Sequence, residues 1–130
     1  MKEEDRELLL LDLCGRLPYW VKGASCDMDT WTLDRIWTKK GYESVVLAGD
    51  YYDIEDFKPF LFPLSSMTEE QREELVSKHL GYYQIFEGIG RRFFFEKGFE
   101  IYDWFNKNHF DYRGLINKGL AIDATNKNIY

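Results

Sequence analysis

Residues 104–121, WFNKNHFDYRGLINKGLA, set His109, Asp111 and Arg113 on alternate positions of a short aromatic-rich window. An imidazole beside a carboxylate is the pairing from which a general base and its orienting partner are made, and a small enzyme would use this cluster. The same residues also make structural sense. Trp104, Phe105, Phe110 and Tyr112 can close a core, Asp111 can accept from free backbone amides of the next turn, and Arg113 can pair with an acidic neighbour. On that second reading HFDYRGLI is a clasp with Tyr112 and Leu115 turned inward.

A second window, EGIGRRFFF at 87–95, joins a Gly-x-Gly to Arg91, Arg92 and three aromatics. Such a mixture could cradle phosphate or stack the bases of a single strand, but it lacks the third glycine and the preceding strand of a dinucleotide fingerprint. The alternative is a glycine turn feeding a buried aromatic segment, with the arginines paired to surplus acids. Asp27, Asp29, Asp50, Asp53, Glu55 and Asp56 offer hard oxygen ligands, yet GDYYDIED has neither the alternation nor the distal glutamate of a calcium loop. His79 and His109 are too few for a histidine-rich metal site. Solvated turns are expected there, with no metal and no cofactor. No Gly-x-Ser-x-Gly elbow occurs, and neither Cys14 nor Cys26 has metal spacing or a nucleophile's surroundings, so both are expected to stay reduced.

The chain carries these residues in 130 positions, 45% hydrophobic and 18% aromatic, which suits one domain spanning 1–130 with a substantial core. A net charge of −6 disfavours nucleic acid as a bulk partner and gives no attraction to anionic lipid. The apolar run at 8–11 is far shorter than the ~20 residues of a bilayer span, and acids precede it. The expectation is a cytoplasmic protein without membrane association.

The elements that must position these residues follow from periodicity. Leucines at 8 and 11 and at 10, 13 and 17 predict a helix near 3–14, with Gly15 as its stop and Pro18 leading out of it. YWVKGASC predicts a strand with Gly23 as a bulge or a point of close approach; Asp27–Asp29 predicts the turn, and TWTLDRIW a partner strand. ESVVLA predicts a third strand. GDYYDIEDFKPFLFPLSS, with two prolines, reads as a connector containing at most a helical turn at IEDF. Thr68 and Gln71 have capping-box spacing and predict a helix over 68–80. Strand or loop is expected over 82–95 and helix over 97–107. The class is therefore α+β, a single domain in which a small antiparallel sheet from residues 18–48 packs with about three helices.

Three blocks, DLCGRLPYWVK at 12–22, DFKPFLFPLSSMTEEQ at 56–71 and DWFNKNHFDYRGLINKGLAID at 103–123, resemble a group of short proteins of gut anaerobes and their phages. That group usually has glycine where Trp20 stands and often a second histidine where Asn108 stands. The resemblance implies a phage or mobile-element setting and no particular chemistry. With no recognisable catalytic set and aromatics in excess of one small core, the chain is expected to be a non-catalytic protein-binding module. Its binding residues are expected among Trp20, Tyr51, Tyr52, Phe62, Arg91, Arg92 and His109, with a protein as partner. The alternative is a small enzyme or single-stranded nucleic-acid-binding protein using His109, Asp111 and Arg113 or Arg91 and Arg92.

Overall fold

The structure is a computed structural model that describes residues 1–79 and 100–130. Helix α1 spans Glu3–Arg16, with Glu3, Glu4 and Asp5 in its first turn and Arg16 in its last, the charge order that suits the helix dipole. Its buried face is Leu9, Asp12, Leu13 and Arg16, whereas Leu11 is 60% exposed. The expected leucine stripe is thus displaced, because a salt-bridged Asp12 and Arg16 share the inward face with Leu9 and Leu13. The helix also runs through Gly15 rather than stopping there. A Cβ on Gly15 would lie 3.0 Å from Asn106 Nδ2, so the glycine permits close approach to the segment at 100–107. The chain leaves α1 through a 3-10 turn at Leu17–Tyr19, whose first turn holds Pro18, and then enters left-handed geometry at Trp20.

Two sheets follow. Strands β1 (Lys22–Ala24) and β2 (Thr30–Thr32) form the expected antiparallel hairpin, closed by a turn in which Ser25 N–H donates to Asp29 O. Gly23 is the expected close-approach glycine: a Cβ there would fall 2.4 Å from Phe57 Cζ and 2.6 Å from Lys58 O. The run TWTLDRIW is not one strand. It breaks at Leu33 and Asp34, where Leu33 N–H donates to Val21 O and Asp34 N–H to Val46 O, so the chain steps from one sheet to the other. Beyond the break, β3 (Arg35–Trp37), β4 (Ser44–Leu47) and β5 (Asp50–Asp53) form a three-stranded antiparallel sheet, with the β4–β5 turn at Ala48 and Gly49, both at positive φ.

The predicted connector contains β5, a 3-10 turn at Ile54–Asp56 and then β6 (Lys58–Pro63), the centre of the other sheet. β6 pairs antiparallel with β1 and parallel with β7 (Phe110–Asp111) and β8 (Ile122–Asp123). Pro63, which has no N–H to give to the ladder, is the last residue of β6. The sheet system therefore extends well beyond residues 18–48 and is partly parallel, within the expected α+β class.

Helix α2 (Glu69–His79) starts on the predicted capping box, with Gln71 N–H donating to Thr68 Oγ1 at 3.1 Å and Thr68 N–H to Gln71 Oε1 at 2.9 Å. A third helical segment, α3, covers 100–107. The strand or loop expected over 82–95, including Arg91 and Arg92, lies outside the described residues, as do Leu80 and the expected helix start at 97–99. The main core lies among α1, the β4–β5 sheet and β6, built from Leu9, Leu13, Val45, Leu47, Phe57, Leu61 and Leu115. Leu75, Ile101, Trp104, Phe105 and Phe110 make a second cluster joining α2, α3 and β7. Among the described residues no helix is long and apolar enough to cross a membrane.

Candidate functional site

Three loops meet at an open groove of about 720 Å³. The 3-10 turn after α1 contributes Leu17, Pro18 and Trp20; the crossing between sheets contributes Trp31, Thr32, Leu33 and Asp34; the β4–β5 turn contributes Ala48 and Gly49. The crossing fixes one wall, since Leu33 and Asp34 are hydrogen-bonded to Val21 and Val46 and Trp31 packs against the main core. Trp20 forms the other wall. It is 74% exposed and sits at φ 62°, ψ 42°, a left-handed conformation that bulky residues seldom adopt. Asp34 is one of the lining residues, and its carboxylate lies 3.8 Å from Arg35 Nε with both side chains largely in solvent.

The other expected binding residues divide. Tyr51 lies just past Gly49 on β5 and is 61% exposed. Tyr52 faces the opposite way and packs on the main core. Phe62 stands apart, with ring centroids 6.3 Å from Phe110 and 6.0 Å from Tyr130. It lines a separate cleft of about 180 Å³ with Ser66, Thr68, Gln71, Phe110, Thr125 and Asn126.

His109 and Asp111 are neighbours without being a catalytic pair. Both Asp111 carboxylate oxygens accept from backbone amides, Oδ1 from Leu115 at 2.8 Å and Oδ2 from Ile116 at 2.9 Å. His109, in left-handed geometry at φ 62°, stacks its ring on Tyr130 with centroids 3.6 Å apart and planes at 10°. Burial, helped by the charges of Arg16 and Lys22, holds its pKa down to about 4, so the imidazole is neutral at pH 7. Its Nδ1 is buried and meets no acceptor or donor. The Tyr130 hydroxyl accepts from Lys22 N–H and donates to Phe60 O, both at 2.9 Å, and burial pushes its pKa up to about 12. HFDYRGLI is thus a clasp, with Leu115 fully buried and Tyr112 half-buried.

Sequence reading missed a buried ion pair. Arg16 donates through Nε to Asp12 Oδ2 at 2.7 Å, and through Nη2 to Asp12 Oδ1 at 3.1 Å and Phe110 O at 2.7 Å. Arg113 Nε comes within 3.5 Å of Asp12 Oδ1, so the expected acidic neighbour of Arg113 is Asp12. The guanidinium groups of Arg16 and Arg113 each lie 5.2 Å from the Tyr112 ring centroid. An acid and a base one helical turn apart read as a surface pair; only their coincidence with the Leu9 and Leu13 face could have signalled burial.

Of the acids considered as metal ligands, Asp53 and Glu55 are bound, with Glu43, to Arg6 of α1 at 2.9–3.0 Å. Asp27, Asp29, Asp50 and Asp56 are exposed. Among the described residues no group of three or more His, Cys, Asp or Glu is placed to hold a metal ion. Cys14 and Cys26 are exposed and unbridged. Compared with protein-family models, curated proteins and solved structures, the chain matches none.

Proposed function

We propose that this chain is a non-catalytic protein-interaction module, acting in the cytoplasm in a phage or mobile-element setting, whose contact centre is Trp20 and the groove beside it. The supporting observation is Trp20 itself. Left-handed backbone at a residue with a side chain costs about 1–2 kcal/mol, and a ring 74% exposed recovers little of it by burial. Glycine would suit this turn, and the group that the chain resembles usually has it there. A tryptophan held in the geometry of a glycine beside an apolar groove serves contact with something else better than it serves the fold.

The catalytic alternative at 109–113 loses support because, among the described residues, His109 Nδ1 has no hydrogen-bond partner and both Asp111 oxygens are engaged by backbone amides.

Capture from host cells with wild type, Trp20→Ala and a control at the exposed Tyr42, Tyr42→Ala, tests the reading. A partner held by wild type and the control should fall by about tenfold or more with Trp20→Ala, the loss expected of an interface anchor. The same captured set for all three proteins would refute it.

A further inference from the structure

The groove has a chemistry more specific than apolarity. Trp20, Trp31 and Leu33 are among its lining residues, and the one charged residue in that lining is Asp34. Asp50 follows Gly49 at the rim and is exposed, and the whole chain carries −6. An anionic or purely polar ligand would meet repulsion or lose hydration here without a partner. A flat, weakly hydrated cation would gain on three sides: its faces against indole, its edge N–H groups toward a carboxylate, its methylene stem against leucine and proline.

We propose that the groove receives the guanidinium of an arginine presented by a partner polypeptide, an inference that rests on the interaction reading above and names the residue type it recognises. The nearby Arg35 does not occupy this role. Its Nε stands 3.8 Å from Asp34, a solvent-screened distance, and Arg35 is not among the lining residues, so an incoming guanidinium can take the carboxylate. The frame is stable enough to discriminate, because the Asp34 backbone is held by Val46 O and Trp31 by the core. Among the described residues β2, which supplies Trp31 and Thr32, ends the strand order of its sheet, and Thr30 and Thr32 are exposed. An extended segment laid along that strand brings its side chains to the groove.

The test uses the whole 15N-labelled chain and capped pentapeptides of alanine and leucine that differ only at the centre, which is arginine, leucine or glutamate. The indole N–H signals of its four tryptophans, assigned by single Trp→Phe variants, report where each peptide sits. The arginine peptide should shift Trp20 and Trp31 and bind about tenfold more tightly than the leucine peptide, with no shift from the glutamate peptide. Asp34→Asn should remove most of the arginine advantage and leave binding of the leucine peptide unchanged. Equal or tighter binding of the leucine peptide, an arginine peptide that shifts other signals or none up to millimolar concentration, or indifference to Asp34→Asn would each overturn the proposal. So would indole shifts on dilution of the chain alone, which mean a second copy in the groove. Any of these with Trp20-dependent capture intact removes the arginine inference and leaves the interaction module standing; loss of Trp20-dependent capture removes the module reading itself.

Discussion

His109 shows how far a residue's role departs from its type. Its partial burial keeps it neutral, and a neutral, half-buried imidazole makes a definite demand on pH. The folded chain holds the His109 pKa at about 4, whereas the unfolded chain titrates near the ordinary 6.5. As pH falls from 6.5 toward 4 the unfolded state takes up the proton first, so stability present above pH 6.5 is lost across that window. Wild type should lose on the order of 2–3 kcal/mol more between pH 7 and 4.5 than His109→Gln, by urea unfolding at both pH values. Parallel losses in the two proteins would mean that His109 protonates freely when folded. Asp111 carries a second residue-scale prediction. Two amides share its two oxygens, and asparagine has a single acceptor, so Asp111→Asn should cost about 1–3 kcal/mol, more than exchange of an ordinary helix cap. An unchanged urea midpoint would show that water replaces the lost acceptor.

At the scale of elements, legibility followed locality. The Thr68–Gln71 box reads directly from spacing, because both its hydrogen bonds are made within one turn, and Thr68→Ala should cost about 1 kcal/mol with the fold intact. The hairpin turn at 27–29 and the strand at 44–47 are equally local. β5 and β6 were read as a connector because Pro59 and Pro63 argue against a strand; what makes β6 central is pairing with β1, β7 and β8, which come from distant parts of the chain. The break at Leu33 and Asp34 is hidden for the same reason, since alternation continues through it while the hydrogen-bond partners change from Val21 to Val46. In α1 the Asp12–Arg16 pair looks like a solvent-facing one until Phe110 O and Arg113 are placed over it. A buried pair fails asymmetrically: Asp12→Leu alone leaves Arg16 without its carboxylate and should cost about 3–5 kcal/mol. The double variant Asp12→Leu with Arg16→Met should regain much of that loss. Additive losses in the double variant would show that the two residues act independently.

At the scale of the whole molecule, the two sheets and three helical segments of the described residues bring together three loops that no local pattern connects, and the groove exists only where they meet. Trp20 is named among the expected binding residues from aromatic excess, but Trp31, Asp34 and Gly49 beside it are not, since their proximity depends on the crossing between sheets. On the proposed reading Trp20 serves contact rather than stability, which has a direct physical consequence. Trp20→Gly relieves about 1–2 kcal/mol of left-handed strain, set against roughly 1 kcal/mol of extra chain entropy in the unfolded state, and forfeits little burial. Urea unfolding of Trp20→Gly beside wild type is therefore the most direct test. The variant should be as stable as wild type or slightly more so, and a loss of more than about 1 kcal/mol would contradict the contact role by making Trp20 part of what holds the fold together.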